Sequence, residues 1–449
     1  CAPGQIPQCQ QNMCICNPDL PFGDVGRFQS MQMIGSDAYV AAYNNTYGDL
    51  MIGHITPPGV ISNWDFVDGV PDDPPDNPAS HVRGGVSGNG DDVGRYTSIG
   101  VSPSGDPVIA YYDLTHKALK FASFGAIRWH QHTIDKGLTA MDDVGRWASM
   151  SIGPNGNPAI AYTAIVYSNT QSGQPEGQLR WAQAKTTRPQ GPSDWSVVVV
   201  DSRPLPKIAS PDMGSSSADG GASAPAPGDV LLPEGIALMA SVARKSDGTP
   251  GIVYYDRTRG NLRYVELDAA TMKWGVPAIL DGEAMDGSDT GDVGLYPSLT
   301  YDEQNVGHIS YEDATRDNLL YVNIKDKTPE VVDDGYRPMD EMTQDGLNSP
   351  VYHLVGDSSS IAAASGAIVI AYQDSTVLQL RVAQLGQNGK WTTQVVKGHN
   401  MPFAGSYGFY ANLRIANRQG IISSYAINQH LDTPLFYVEV FAVDLGLIM

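Results

Sequence analysis

Three arginines share one short context in the first third of the chain: Arg27 in "GDVGRF", Arg95 in "DDVGRY" and Arg146 in "DDVGRW". A guanidinium fork matches the two oxygens of a carboxylate. Three forks at equivalent places would therefore make a cationic patch for an acidic glycan or an acidic protein chain. An aspartate precedes each arginine by three residues (Asp24, Asp92, Asp143), which supplies the plain structural alternative of ion-paired struts. A second group is "DGSDTGD", Asp286 to Asp292. Asp286, Ser288, Thr290 and Asp292 offer oxygens at alternate positions around a turn at Gly291, as a calcium loop does. The bidentate acid expected at the twelfth position is replaced by Pro297, so calcium is a candidate cofactor on a partial match, and no other cofactor is indicated.

Other chemistry is absent at the level of motif. The chain has no H-E-x-x-H, no G-x-S-x-G and no phosphate loop. Its 9 histidines show no metal-ligand spacing, and His130 and His132 alternate along a strand where both are expected to be exposed. Among 49 acidic residues no catalytic pair stands out. Asp113, Asp256, Asp313 and Asp374 each follow a repeated tyrosine by two residues, a place where turn capping explains an aspartate. Trp64, Trp129, Trp195, Trp274 and Trp391 open outer strands and are expected to pack between units.

All 4 cysteines fall in the first sixteen residues: Cys1, Cys9, Cys14 and Cys16. Such clustering in a Cys-poor chain points to an extracytoplasmic protein. "CAPG" resembles the mature start of a bacterial lipoprotein, which implies a lipid on Cys1 and leaves Cys9, Cys14 and Cys16 as disulfide candidates. The C-x7-C-x4-C-x-C spacing matches no zinc pattern. No apolar run is long enough to cross a membrane as a helix. A formal net charge of −21 argues against nucleic acid and against an electrostatic grip on anionic lipid.

The elements that hold these residues come from a repeat. Anchored on Ser30, Ser98, Ser149, Ser241, Ser298, Ser360 and Asn412, the pattern occurs in seven copies. A tyrosine follows the anchor at thirteen residues in six of them (Tyr43, Tyr111, Tyr162, Tyr254, Tyr311, Tyr425), and Tyr372 follows at twelve. Each copy reads as four short strands with turn residues between, as in "YTSIGV", "PVIAYYD", "LKFASF" and "RWHQHTID". The expected fold is all-β: a seven-bladed propeller of four-stranded antiparallel blades.

Copies of the form S-[IL]-x5-8-G-x-P-x-I-x-Y-x-D-x4-6-L-x-[YF] resemble a class of bacterial secreted propeller repeats, from about Asp24 to Val443. The resemblance implies the fold and is distantly like sialidase and lectin propellers, but the sialidase Asp-box S-x-D-x-G-x-T-W is missing from every turn. Propellers host enzymes, lectins and scaffolds alike, so the fold alone names no activity.

The seventh copy lacks a clear fourth strand, and "NMCIC" (Asn12–Cys16) lies at the right distance before Ser30 to supply it. Residues 1–23 are thus expected to form a lipid-anchor arm plus the strand that closes the ring. Residues 24–449 form the propeller, with insertions at 69–90, 165–177, 202–229 and 333–350 crowding one face. The expected function is that of a non-enzymatic, lipid-anchored scaffold or assembly subunit on a bacterial outer membrane or cell surface, with a protein partner. The alternative is a lectin or a carbohydrate-active enzyme, sialidase-like or lyase-like, working at the channel mouth on an acidic glycan.

Overall fold

The computed structural model describes residues 6–10, 13–17, 23–69, 90–125, 128–167, 170, 173–205, 235–337, 352–398, 405–428 and 435–446. Alternating apolar positions and Gly-, Asp- and Asn-rich turns make short antiparallel strands, and these assemble as seven blades. Blade one is Val25–Ile34, Asp37–Asn44, Asp49–Ile55 and Trp64–Asp68. Blade two is Val93–Val101, Pro107–Asp113, Ala118–Phe124 and Trp129–Asp135; blade three is Asp143–Ile152, Pro158–Val166, Glu176–Ala184 and Trp195–Pro204. Blades four to six start at Leu238, Val293 and Val355 and end at Asp281, Asp333 and Lys397. Among the described residues the only helical element is a single 3-10 turn, Pro192–Asp194.

The first strands of successive blades pack side by side around the axis, and that of blade seven, Ser406–Ala416, meets that of blade one. Apolar residues gather between blades rather than within them. One cluster joins Phe121 and Ile134 of blade two to Ile160, Tyr162 and Trp195 of blade three. Another joins Val40 and Met51 of blade one to Ile421 and Val438 of blade seven. A blade sheet has two apolar faces and is covered only when both neighbours are present, so the fold is stable as a ring and not as a single repeat. The tryptophans pack as expected. Trp195 meets Phe121 of the previous blade at 5.3 Å, Trp274 meets Trp181 at 5.4 Å, and Trp391 meets Tyr321 at 5.2 Å.

Ring closure differs from the expectation. Met13–Asn17 pairs with Ile6–Gln10 in a separate two-stranded hairpin, not with blade seven. The fourth place in blade seven is taken by Gly59–Val60, a detour of blade one between its third and fourth strands. Gly59 and Val60 lie opposite Val440 and Glu439, and Ile61 N–H donates to the Val438 carbonyl at 3.0 Å. The N-terminal run was expected there on chain spacing alone. The detour competes successfully because it springs from the neighbouring blade and is already beside the open edge. The described part of residues 1–23 therefore supplies no closing strand, and Cys1 and Asn12 lie outside the described residues. The hairpin register sets Cys9 opposite Cys14 and Cys16 opposite Pro7.

Candidate functional site

The four insertions lie largely outside the described residues, but their stems emerge on one rim. That rim carries the loops entering first strands and the turns between second and third strands. Leu114 N–H donates to the Asp92 carbonyl at 2.9 Å, Tyr167 N–H to the Asp142 carboxylate at 2.8 Å, and Leu205 N–H to the Pro175 carbonyl at 2.8 Å. Each bond ties one class of loop to the other.

At the axis end of this rim stands the D-V-G-R segment. Its glycine solves a packing problem. Gly145 has φ +107°, and a Cβ there would lie 2.6 Å from the Leu119 backbone nitrogen of blade two; Gly94 stands likewise 2.8 Å from Leu50 of blade one. Only glycine combines that conformation with so close an approach. One residue past the arginine position, a bulge in each first strand places a residue in the left-handed region. These are Phe28, Tyr96, Trp147, Met239, Tyr296, Ser358 and Tyr410, with φ from 46° to 54°. Such backbone costs about 1 kcal/mol or more for a residue with a Cβ, and here it turns side chains together at the axis. Tyr410, Phe28, Tyr96 and Trp147, from blades seven, one, two and three, pack in succession at centroid distances of 5.1, 4.8 and 4.9 Å.

The anchor serine has a defined task that its small size did not reveal. Each Oγ accepts the backbone N–H of the residue after the anchor in the next blade. Ile99 donates to Ser30 and Met150 to Ser98 at 2.9 Å, Val242 to Ser149 at 3.0 Å, Leu299 to Ser241 and Ile361 to Ser298 at 3.1 Å, and Leu413 to Ser360 at 3.0 Å. The last anchor, Asn412, donates Nδ2–H to the Gln29 carbonyl at 3.1 Å and completes the circle.

A second tie runs nearer the rim. Fourth strands bulge one residue before their end, so an apolar residue such as Ile134 or Leu280 turns inward and the terminal aspartate is re-aimed at the next blade. Tyr111 then donates to Asp68, Tyr162 to Asp135 and Tyr311 to Asp281 at 2.7 Å, and Tyr254 to Asp201 and Tyr372 to Asp333 at 2.6 Å. The cross-strand neighbour of the tyrosine often joins in. Lys120 reaches Asp68 at 2.5 Å, Arg180 reaches Asp135 at 2.7 Å and Arg263 reaches Asp201 at 3.3 Å.

Arg27, Arg95 and Arg146 stand at one position on three adjacent blades, as expected, and keep side-chain exposures of 33%, 22% and 20%. Each pairs with the aspartate of its own segment: Arg27 with Asp24 at 2.8 Å, Arg95 with Asp92 at 3.3 Å and Arg146 with Asp143 at 2.7 Å. The previous blade contributes a tyrosine. Tyr425 donates to Asp24 at 2.6 Å and Tyr112 to Asp143 at 2.7 Å, while Arg95 donates to the Tyr43 hydroxyl at 3.4 Å. Burial works against the charged form of Arg146, but the Asp143 carboxylate outweighs it and raises its pKa. The same position carries Leu238, Leu295, Asp357 and Phe409 on the remaining blades, so the mouth has a cationic half and an acidic side.

The acidic side was not anticipated. Glu312 of blade five lies beside Asp357 of blade six, and burial, then the Asp357, Asp317 and Asp292 charges, push its carboxyl up to about 9. Its Oε2 is buried without a partner. Tyr296 also lies near Asp357, and the Ser375 hydroxyl donates to that carboxylate. Glu312 sits one residue beyond the repeated Tyr311, where blades two and four have Tyr112 and Tyr255. The other blades have Asn44, Thr163, Gln373 and Ala426 there, so the one acid at that repeat position was the available signal.

The calcium loop does not hold together as a donor set. Asp286 accepts both Ser288 N–H at 3.0 Å and Ser288 O–H at 2.6 Å, while Asp292 accepts the Tyr255 hydroxyl at 2.6 Å. Thr290 N–H donates to the Gly282 carbonyl. The carboxylates cap their own turn or tie a blade, and these residues do not fit the ion. Among the described residues one group of three possible ligands gathers, Asp91, Asp113 and His116. There Asp113 caps the turn by accepting His116 N–H at 2.9 Å, as expected, and Lys120 lies 3.8 Å from the same carboxylate. His130 is exposed, whereas His132 accepts from Trp195 Nε1–H at 2.9 Å and burial lowers its pKa.

No protein-family model and no curated protein matches the sequence. Solved structures do resemble the fold. A puromycin hydrolase is similar over 94% of this chain at 11% identity and a TM-score of 0.50, and the chain covers 52% of that protein, about half its length. An ulvan lyase of a new polysaccharide lyase family, bound to -[GlcA(1-4)Rha3S]-, is similar over 94% of this chain and 95% of its own, at 10% identity and a TM-score of 0.48. An α-L-arabinofuranosidase from Lactobacillus brevis covers 77% and 89%, at 10% identity and a TM-score of 0.35. At 11% identity the likeness to the puromycin hydrolase shows a shared fold and nothing finer.

Proposed function

We propose that this chain is a non-enzymatic binding scaffold of the bacterial secreted propeller-repeat class, with the loop-bearing rim as its contact surface for a protein partner. One observation carries the reading: large apolar side chains stand exposed in the loops of that rim. Leu138 and Met141 lie before blade three, Met285 before blade five, and Tyr336, Tyr352 and Leu354 before blade six. Apolar residues such as Met272 and Val276 are exposed elsewhere too, but six gathered in the loops that enter first strands mark an interaction face. An extracytoplasmic location at the outer membrane or cell surface, a lipid on Cys1 and a disulfide at the N-terminus belong to the same proposal. Affinity capture from the native envelope tests it, using the wild type beside a Met285→Ser/Tyr336→Ser/Tyr352→Ser variant. A partner held by the first and lost by the second is the expected result. A partner held equally by both overturns the rim as contact surface.

A second reading, a carbohydrate-active enzyme at the channel mouth, is favoured by the Glu312–Asp357 pair. A carboxyl that keeps its proton above neutral pH, set against a second carboxyl and Tyr296, is the arrangement of a general acid with its base. Release of reducing ends from an acidic polysaccharide, abolished in Glu312→Gln, would establish that reading. The arginines divide the two classes of role. Replacing Arg27, Arg95 and Arg146 with alanine should weaken binding of an acidic ligand if they meet it, and lower only thermal stability if they are struts.

A further inference from the structure

Blade three ends in an outer strand unlike the others. Trp195–Pro204 spans 10 residues and reads "WSVVVVDSRP". Ser196 is exposed, and Val197, Val198 and Val199 are 39%, 46% and 41% exposed. Both faces of the strand are thus apolar and open, because successive side chains point opposite ways. The inner edge is committed: Val197, Val198 and Val199 lie opposite Ala182, Trp181 and Arg180. Among the described residues no strand lies beside the outer edge. Outer strands elsewhere carry the usual protection. Blade two has polar "WHQHTID", blade six has "WTTQVVK", and those of blades four and five are 4 residues long. A long apolar edge without lysine or proline in its exposed run is a template for another strand.

We propose that this edge pairs with the same edge of a second copy, giving a two-fold dimer in which two blades form one continuous eight-stranded sheet. The occupant follows from the residues themselves. The run reads nearly alike in both directions, so antiparallel self-pairing sets Val197 against its own copy and Trp195 against Val199, β-branched and aromatic–β-branched pairs that are favourable across strands. The bulge between Val199 and Asp201 ends the regular ladder, which confines pairing to Trp195–Val199. The symmetric register therefore centres on Val197: Val197 faces its own copy, Ser196 faces Val198, and Trp195 faces Val199. The contact is small, so the dimer is weak and depends on concentration. Each copy carries a formal charge of −21, so mutual repulsion opposes association and added salt strengthens it.

Sedimentation velocity over a concentration series, at low and moderate salt, tests this. The wild type should shift from monomer to dimer with rising concentration, more readily in salt. Val198→Lys should remain monomeric with an unchanged melting temperature, since the side chain is exposed. Val197→Cys should form an intermolecular disulfide under mild oxidation, whereas Ser196→Cys, which faces Val198, should not. A wild type that stays monomeric throughout overturns the proposal. So does a dimer that survives Val198→Lys, or equal cross-linking by the two cysteine variants.

Discussion

At the scale of single residues the inter-blade clasp is a tyrosine hydroxyl and a cation sharing one aspartate. Tyr162 and Arg180 both grip Asp135. Tyr162→Phe removes one charge-assisted bond and leaves the ion pair, so a loss of about 1–2 kcal/mol in denaturant unfolding is expected. Asp135→Ala strands the largely buried Arg180 and should cost about 3–5 kcal/mol. Equal effects of the two changes would remove the clasp as an energetic unit. Glu312 offers a prediction in pH. Its folded pKa of about 9 lies above the ordinary value of 4.5. Below that ordinary value both folded and unfolded chains are protonated, and the stabilisation from the neutral form is complete. As pH rises to about 9 the unfolded chain releases the proton while the folded chain holds it, so stability falls across that window. Glu312→Gln mimics the protonated acid. It should match the wild type near pH 4 and exceed it at pH 9 by on the order of 2–4 kcal/mol, after allowing for solvent relaxation of the nominal shift. A parallel pair of stability–pH curves would refute the buried acid.

At the scale of strands, a glycine that opens the first strand of every blade but the fourth, where Ala237 stands, decides how closely two blades can approach. Gly145→Ala puts a Cβ against the Leu119 backbone at φ +107°. A loss beyond 2 kcal/mol is expected in thermal or denaturant unfolding, more than the ~1 kcal/mol of an ordinary glycine replacement. Replacing the anchor Ser98 with alanine is milder, because it leaves the buried Met150 N–H without its acceptor and should cost about 1–2 kcal/mol. The fourth-strand bulge is the subtler element. It was written in the sequence as "WHQHTID" and "WGVPAILD", an apolar residue then a terminal aspartate. Its purpose stayed hidden because the tyrosine it serves lies in the following repeat.

At the scale of the ring, the seam between blades seven and one is built differently from the rest. Blade seven has no terminal aspartate to offer Tyr43, and Tyr425 instead reaches forward to Asp24 at 2.6 Å. Arg414 Nε–H donates to the Gln32 side chain at 2.8 Å across the same seam, and Gly59–Val60 lends the missing strand. Ile61→Pro removes the backbone donor that the Val438 carbonyl accepts at this seam. Hydrogen exchange should then quicken in Leu435–Asp444 while the strands of blades two to five keep their protection. Uniform loss of protection would mean that the seam is no weaker than other junctions.

The repeated anchors, tyrosines and glycines determined a seven-bladed all-β ring from sequence alone. Each blade buries both faces, and the same side chain types must recur wherever the same neighbour recurs. The same periodicity made the three arginines legible as a set. What the repeat could not contain is whatever breaks it. The closing strand came from Gly59–Val60 because the open edge of blade seven is filled by the segment nearest in space, and spacing along the chain favoured a different run. Glu312 became an acid that keeps its proton because the junction buries it and, next, because Asp357 of another blade stands beside it. Asp292 and Asp286 lost their calcium reading because a tyrosine and a turn claimed their oxygens first. Local pattern specifies strands and their faces. Which charges meet across a junction depends on the distances that only the closed ring sets.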